Sequence, residues 1–405
     1  MLILATTIAA GFAITEQNTA ALGQANAVAA RADDSSAVYY NPAGLAGQKG
    51  WRVLVGDTVI APFVTADLPD GRGLCDGSPR CSALPKTFFP PHLYASYGTS
   101  DWGVGIGINA PFGLGIGWKD NWPGQFDTRS INLQVIEGSV AGGYKLGPVL
   151  VGAAIRFLDA SVDYRRGINF YSDTYQAAEA HLVGSGTGLG VALSALAPIN
   201  KDLTVGFTYR SRVTTDITGK IHYANVPGSF QAYLKDGGAT SSVTFPDQVL
   251  LGGEYRVNKD FTVSAQADYT AWQTFESFDV TLDQPCQAGP PCQSSISSPR
   301  NWHHSLTGRL GGEYQLGKYR VRAGALFDEG ASPTDTLSPS LPDSSRVAVT
   351  VGGGMDLPKG LSADVALAYV LGMPVTADGV GLLPATYNFS ALLLGVTIGY
   401  GGHGR

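Results

Sequence analysis

The chain has 405 residues, of which only 15% are charged and 53 are glycine, and its formal net charge is −6. Soluble proteins carry roughly 25% charged residues, so much of the outer surface is expected to face something other than water. The acidic balance excludes a nucleic-acid surface, which needs a basic patch, and the lack of any apolar run of about 18 residues excludes a helical membrane span.

The N-terminus opens on LILATTIAA, residues 2–10. An apolar stretch ending in small residues has the form of a secretory leader, here cleaved after Ala9. No basic region precedes it, and an apolar tail is the alternative. Residues 10–46 follow and end in RADDSSAVYYNPAGLA at 31–46. This stretch is too polar and too broken by turn residues for a long helix, and it carries no catalytic pattern. It reads as a compact plug ahead of the strands.

From Trp51 onward the period is two. In FTVSAQADYTAW at 261–272, Phe261, Val263, Ala265, Ala267 and Tyr269 share one face, against Thr262, Ser264, Gln266, Asp268 and Thr270. Successive strand side chains point to opposite faces, so this is an amphipathic strand. LSADVALAYV at 361–370 repeats the pattern. LTVGFTYRSRV at 203–213 places Arg210 and Arg212 on the polar face, and YRVRAGALF at 319–327 does the same with Arg320 and Arg322.

About fourteen such segments can be counted, near 51–64, 88–99, 101–116, 131–146, 148–165, 183–200, 202–215, 241–257, 259–275, 302–316, 318–329, 344–357, 360–372 and 387–401. Every second connection is tight, as at 98–101, 145–148 and 257–260. The others are long: 65–87, 117–130, 166–182, 216–240, 276–301, 330–343 and 373–386. An even number of antiparallel strands with short turns at one end and long loops at the other is the pattern of an outer-membrane barrel. Only a closed barrel satisfies strand backbone in hydrocarbon. A soluble sandwich or propeller shares the period but gives no reason for the loop parity.

The predicted fold is all-β: a transmembrane antiparallel β-barrel of about 14 strands, with 1–9 as leader, 10–47 as plug, 48–401 as barrel and 402–405 as tail. Such a ring is too wide for wall side chains to fill. The segment before the first strand comes in from the short-turn end, so the plug is expected in the lumen. Barrels of this kind commonly end on an outward aromatic, whereas this chain ends IGYGGHGR, with Tyr400 the candidate for that role.

Within WGVGIGINAPFGLGIGW, the third strand, Gly103, Gly105 and Gly107 occupy the lumen-facing phase. Pro111 cannot donate a ladder hydrogen bond, so it implies a bulge or break. Polar groups around Asn41 are expected to meet this gap; alternatively Pro42 and Gly44 only turn the chain into the first strand. The cysteines form two pairs, Cys75 with Cys81 and Cys286 with Cys292, each Cys-x5-Cys in a polar loop. Disulfides in an oxidising compartment suit them; zinc is the rival, without further ligands at the usual spacings.

The long loops carry DTYQAAEAHL at 173–182 and PGSFQAYLKDG at 227–237, each able to form a short amphipathic helix. Phe230, Tyr233 and Leu234 give the second an apolar side suited to capturing a greasy ligand, or to packing as a lid. Among the lumen cations Arg156, Arg210, Arg309 and Arg322, Arg156 is the first choice to meet a ligand carboxylate, the alternative being pairing with wall acids such as Asp268, Glu313 and Asp364. No nucleophile, Walker or metal-ligand motif is present, so a non-enzyme without cofactor or metal is expected. A lipase remains conceivable, because a Ser/His pair need not be close in sequence.

The plug and several strand-end motifs resemble the FadL/TodX family of outer-membrane transporters for hydrophobic compounds. The resemblance runs through AGFAITEQNTAALGQANAVAARADDSSAVYYNPAGLA, NAPFGLG at 109–115, FPDQVLLGGEYRVNKDFTVSAQADYTAWQTF at 245–275, RAGALFDEGASP at 322–333 and LPDSSR at 341–346. It implies a hatch centred on Asn41, Pro42, Ala43 and Gly44, and a lateral opening at a kink formed by Asn109, Ala110, Pro111, Phe112 and Gly113. It also implies a monomer in a Gram-negative outer membrane, in contact with outer-membrane lipid. That monomer would pass a hydrophobic small molecule, a long-chain fatty acid or an aromatic hydrocarbon, passively from loop capture to lumen pocket to the outer leaflet. A general diffusion porin and a structural barrel are the other readings.

Overall fold

A computed structural model describes residues 11–70, 73–170, 178–283, 294–379 and 383–401. The expected leader and the tail at 402–405 lie outside the described residues. Among the described residues no helix is long and apolar enough to cross a membrane; the chain crosses with strands.

Fourteen strands pair antiparallel in chain order. They begin with β1 Gly50–Asp67, β2 Pro91–Gly98, β3 Trp102–Gly117, β4 Ser130–Leu146, β5 Val149–Ile168 and β6 Ala178–Pro198. The next three run in two pieces each: β7 Leu203–Arg210 and Val213–Ala224, β8 Gly237–Phe245 and Gln248–Arg256, β9 Phe261–Thr270 and Ser277–Leu282. A short strand, Ser295–Pro299, precedes β10 Ser305–Leu316, and β11 Tyr319–Asp328, β12 Arg346–Asp356, β13 Leu361–Gly372 and β14 Thr386–Tyr400 complete the set. The ring closes where β1 pairs with β14, from Val53 opposite Tyr400 to Asp67 opposite Thr386.

The alternation sets which face is which. On β9, Thr262, Ser264, Gln266 and Asp268 are buried in the lumen, while Ala265 and Ala267 are exposed outside. Around the ring the outward positions form an apolar belt including Val104, Ile155, Leu189, Val349 and Val396. At the short-turn end the belt is edged by exposed aromatics, among them Trp51, Trp102, Tyr144, Tyr319 and Tyr400. Such a girdle marks the membrane interface, and Tyr400 stands in it as the sequence suggested.

The long-loop half differs from expectation in two ways. Much of 216–240 and 276–301, expected as loop, is sheet, because the alternation in VTTDITGKIHYA and SFDVTL continues past breaks at 211–212 and 271–276. The break at Ser211 also turns Arg212 out of the lumen face assigned to it, so it is exposed and pairs with Asp247 at 2.7 Å. Second, of the helix expected at 173–182, residues 178–182 belong to β6 and 173–177 lie outside the described residues, while 227–237 carries a 3-10 turn at Gly228–Phe230 in place of the expected helix. Over the loops, Trp118 and Trp122 stack at 4.3 Å in a small core with Leu337, Ala377 and Tyr387.

Of the two expected disulfides, the Cys75–Cys81 bond is present and closes a hairpin in the β1–β2 loop. The second, between Cys286 and Cys292, is not seen, because Cys286 and Cys292 both lie outside the described residues.

Residues 11–46 lie almost wholly buried and bond to strands on opposite sides of the ring. Thr19 meets Thr397 on β14 at 2.7 Å, and Ala29 meets Gln266 on β9 at 2.8 Å. Inward glycines let its backbone come close. A methyl group at Gly206 would collide with the Ala29 carbonyl, one at Gly152 with the Ala43 amide, and one at Gly103 with the Leu45 carbonyl.

Candidate functional site

The site is built where the N-terminal segment meets β3. The β3–β4 register shifts between Asn109 opposite Glu137 and Phe112 opposite Val135, leaving Ala110 and Pro111 as a bulge. On its other edge β3 pairs with β2 only up to Ile108, so the backbone beyond lacks a full neighbour. The N-terminal segment supplies one. Ile14 N–H donates to the Pro111 carbonyl at 2.7 Å, and Gly113 N–H donates to the Phe12 carbonyl at 2.9 Å. The Gln17 side chain both donates to the Ala110 carbonyl at 2.7 Å and accepts from the Ala110 N–H at 3.1 Å. A strand break in a barrel wall is costly unless its backbone groups find such partners.

Asn41 does not make this contact. Its side-chain amide donates to the Ala29 carbonyl at 2.7 Å and to Ala195 on β6 at 3.2 Å, while its oxygen caps the 3-10 turn Pro42–Leu45. Pro42 occupies the first helical position, where its missing N–H costs nothing, and a side chain at Gly44 would strike Ala32. The motif therefore folds the segment on itself and pins it to the far wall. Its neighbour Tyr40 links back to the residues that meet β3, accepting from Gln17 N–H at 3.1 Å. The front end is tied upward: Gly11 N–H donates to Asp343 at 3.0 Å, and the same carboxylate accepts from Ala331 N–H at 2.6 Å.

The lumen arginines are occupied. Glu137 is clamped between Arg156 at 2.7 Å and Arg210 at 2.8 Å, both fully buried, so Arg156 does not reach toward the loops as expected of a ligand partner. Arg210 also donates to the Tyr39 carbonyl at 3.0 Å with its guanidinium 4.1 Å over the Tyr39 ring. Arg309 pairs with Asp268 at 2.6 Å and donates to the Ala25 carbonyl at 3.0 Å. Arg322 bridges Glu313 and Asp364. Arg210 and Arg309 thus hold the N-terminal segment to the wall, while Arg156 and Arg322 tie wall strands to one another.

Above the bulge lies a small, mainly apolar cavity. Phe12 and Leu114 form part of its floor, and Leu133, Val162, Ile217 and Val243 line its sides. Phe12 sits among Phe112, Phe245, Trp272, Phe275 and Trp302, all with ring centres within 6.2 Å of its own. The single cation lining this space is Arg300, buried and bonded to Ser340 at 3.2 Å. Among the described residues no carboxylate pairs with it. At the loops, Phe170 stacks on Phe230 at 4.5 Å, Tyr233 is exposed and Leu234 half-buried.

Residues 1–401 match the family described as Outer membrane protein transport protein (OMPP1/FadL/TodX). The long-chain fatty acid transport protein of Escherichia coli O6:H1 is 26% identical, over 96% of this chain and 94% of its own. A Pseudomonas aeruginosa FadL homologue shares the fold, with TM-score 0.84 at 18% identity over 97% of this chain and 100% of its own. So does the Pseudomonas putida toluene transporter TodX, with TM-score 0.69 at 16% identity over 90% of this chain and 93% of its own.

Proposed function

We propose, from the premise that the chain belongs to the OMPP1/FadL/TodX family of outer membrane transport proteins, that it takes up amphiphilic long-chain carboxylates across the outer membrane as a single barrel. Exposed Tyr233, with Phe230 and Leu234, collects the molecule at the surface. The cavity over Phe12 holds its chain, Arg300 meets its carboxylate, and the residue 10–47 hatch yields at the Phe12–Gln17 latch. The molecule then leaves sideways at the Asn109–Gly113 bulge into the outer leaflet.

The observation that carries this reading is one buried cation, free of acid partners among the described residues, in an otherwise apolar cavity. A carboxylate taken out of water needs such a partner, whereas a neutral aromatic does not. No fuel is required, since transfer of each CH₂ out of water contributes about 0.8 kcal/mol. The test compares uptake of a fatty acid and of toluene by wild type and Arg300→Met. A charge-assisted bond of about 1.5–3 kcal/mol corresponds to a loss of about tenfold or more in fatty-acid uptake at limiting concentration, with toluene uptake kept. Equal loss of both substrates, or of neither, would sink the carboxylate assignment.

A further inference from the structure

The wall reverses its polarity partway up. On β5, Ile155 and Phe157 point outward and are exposed, whereas Leu158, Ala160 and Val162 above them are buried inside and Asp159 and Ser161 face out. On β6 the change falls between outward Leu189 and Thr187, and on β7 above the break at Ser211, where Val213 and Ile217 are buried and Thr214 and Asp216 are exposed. The outer edge of the hydrocarbon is thereby fixed to within a residue or two on each strand, because an outward apolar band is what lipid selects.

Directly above that edge runs a row of hydroxyls. Ser161 opposes Ser185, Ser185 opposes Thr218, Thr218 opposes Thr240, Thr240 opposes Thr281 and Thr281 opposes Ser295. All six are exposed. At one hydroxyl per strand the row extends about 24 Å along the wall. In the adjoining lower row, Asp159 opposes Thr187 and Asp216 opposes Ser242, and neither acid forms an ion pair among the described residues. Among the described residues the opposite wall has no such row. Val347 and Leu371 keep the outer face apolar up to the long-loop ends of β12 and β13.

We propose that this hydroxyl row is a docking surface for the saccharide headgroup of outer-leaflet glycolipid. It is continuous with the lipid-facing belt, so its neighbour on that side is the headgroup layer of the same leaflet. Serine and threonine hydroxyls both donate and accept, and the aspartates accept, which matches the donor-and-acceptor hydroxyls of sugars. The surface acts independently of what the lumen carries.

The experiment measures retention of rough lipopolysaccharide against phosphatidylethanolamine by native mass spectrometry, using the intact protein in detergent supplied with both. A second arm supplies the core oligosaccharide without its lipid. Wild type is expected to retain the glycolipid in preference to the phospholipid and to bind the free oligosaccharide far more weakly. The double variant Thr218→Val/Thr240→Val, checked for folding by heat-modifiable migration, should retain the glycolipid about tenfold less, as for the loss of two hydrogen bonds, with phospholipid unchanged. No preference in wild type, undiminished retention in a folded double variant, or equal binding of the free oligosaccharide would each overturn the proposal. If that variant does not fold, Ser161→Ala/Ser185→Ala carries the same expectation.

Discussion

At Ala110 both backbone groups are bonded to one side chain, the amide of Gln17. Gln17→Leu would leave a buried N–H and C=O without partners, at about 1–3 kcal/mol each. Its melting temperature should fall and its resting permeability to a hydrophobic dye should rise; a variant matching wild type in both would remove Gln17 from the closure. Glu137 carries a different burden, standing between two buried guanidiniums. Glu137→Gln would strand them and destabilise the barrel by about 3–5 kcal/mol, readable as a lower temperature for the heat-modifiable shift. The chain's own residue types pointed to lumen arginines and to Asn41, but not to Gln17 or Arg300. Gln17 and Ala110 lie 93 residues apart, and Gly11 and Asp343 lie 332 apart, so no local spacing announces either pair. A signal did exist for the gap itself, because Pro111 in a strand requires an answer from somewhere, and the small-residue front end was the one segment free to give it.

The strands were legible because period two survives even where the meaning of the faces reverses. β9 reads alike in sequence and structure from Phe261 to Thr270, whereas the upper part of β7 was read as loop because its outward residues are Thr, Asp and Lys rather than apolar. Its tip offers a test by acidity. Asp236, in the loop that follows β7, accepts from His222 at 3.0 Å and from the Tyr223 N–H at 2.8 Å. The His222 bond first, then the Tyr223 N–H, holds its carboxyl below the ordinary 3.8. A carboxyl lowered on folding stabilises where it is ionised in both states, and that contribution disappears as pH falls through the folded value. Protection of the Tyr223 amide from hydrogen exchange, taken relative to the intrinsic rate at each pH, should therefore hold at neutral pH and fall only below about pH 4. Loss of protection well above that pH would show that the Asp236 carboxylate does not hold the tip.

For the molecule as a whole, fourteen strands close into a ring, and residues 11 to 46 are almost wholly buried against it. A barrel so occupied should show only small, brief conductance in a planar bilayer, and a chain lacking 11–46 should show large steady steps if it folds; large steady steps in the intact protein would favour a porin. The overall plan was open to sequence reasoning because lipid outside and water inside impose opposite demands on alternate residues. The cavity was not, because Leu133, Val162, Ile217 and Val243 come from four strands and acquire a common purpose only when the ring closes. The inward glycines carry a last implication. Since a side chain gained at Gly206 or Gly152 has no room except that held by the backbone of Ala29 or Ala43, socket and insert are not free to drift apart over generations. A family member that enlarges one must pare down the other, and grafting a foreign front end into this cylinder would succeed only with its glycines moved to match.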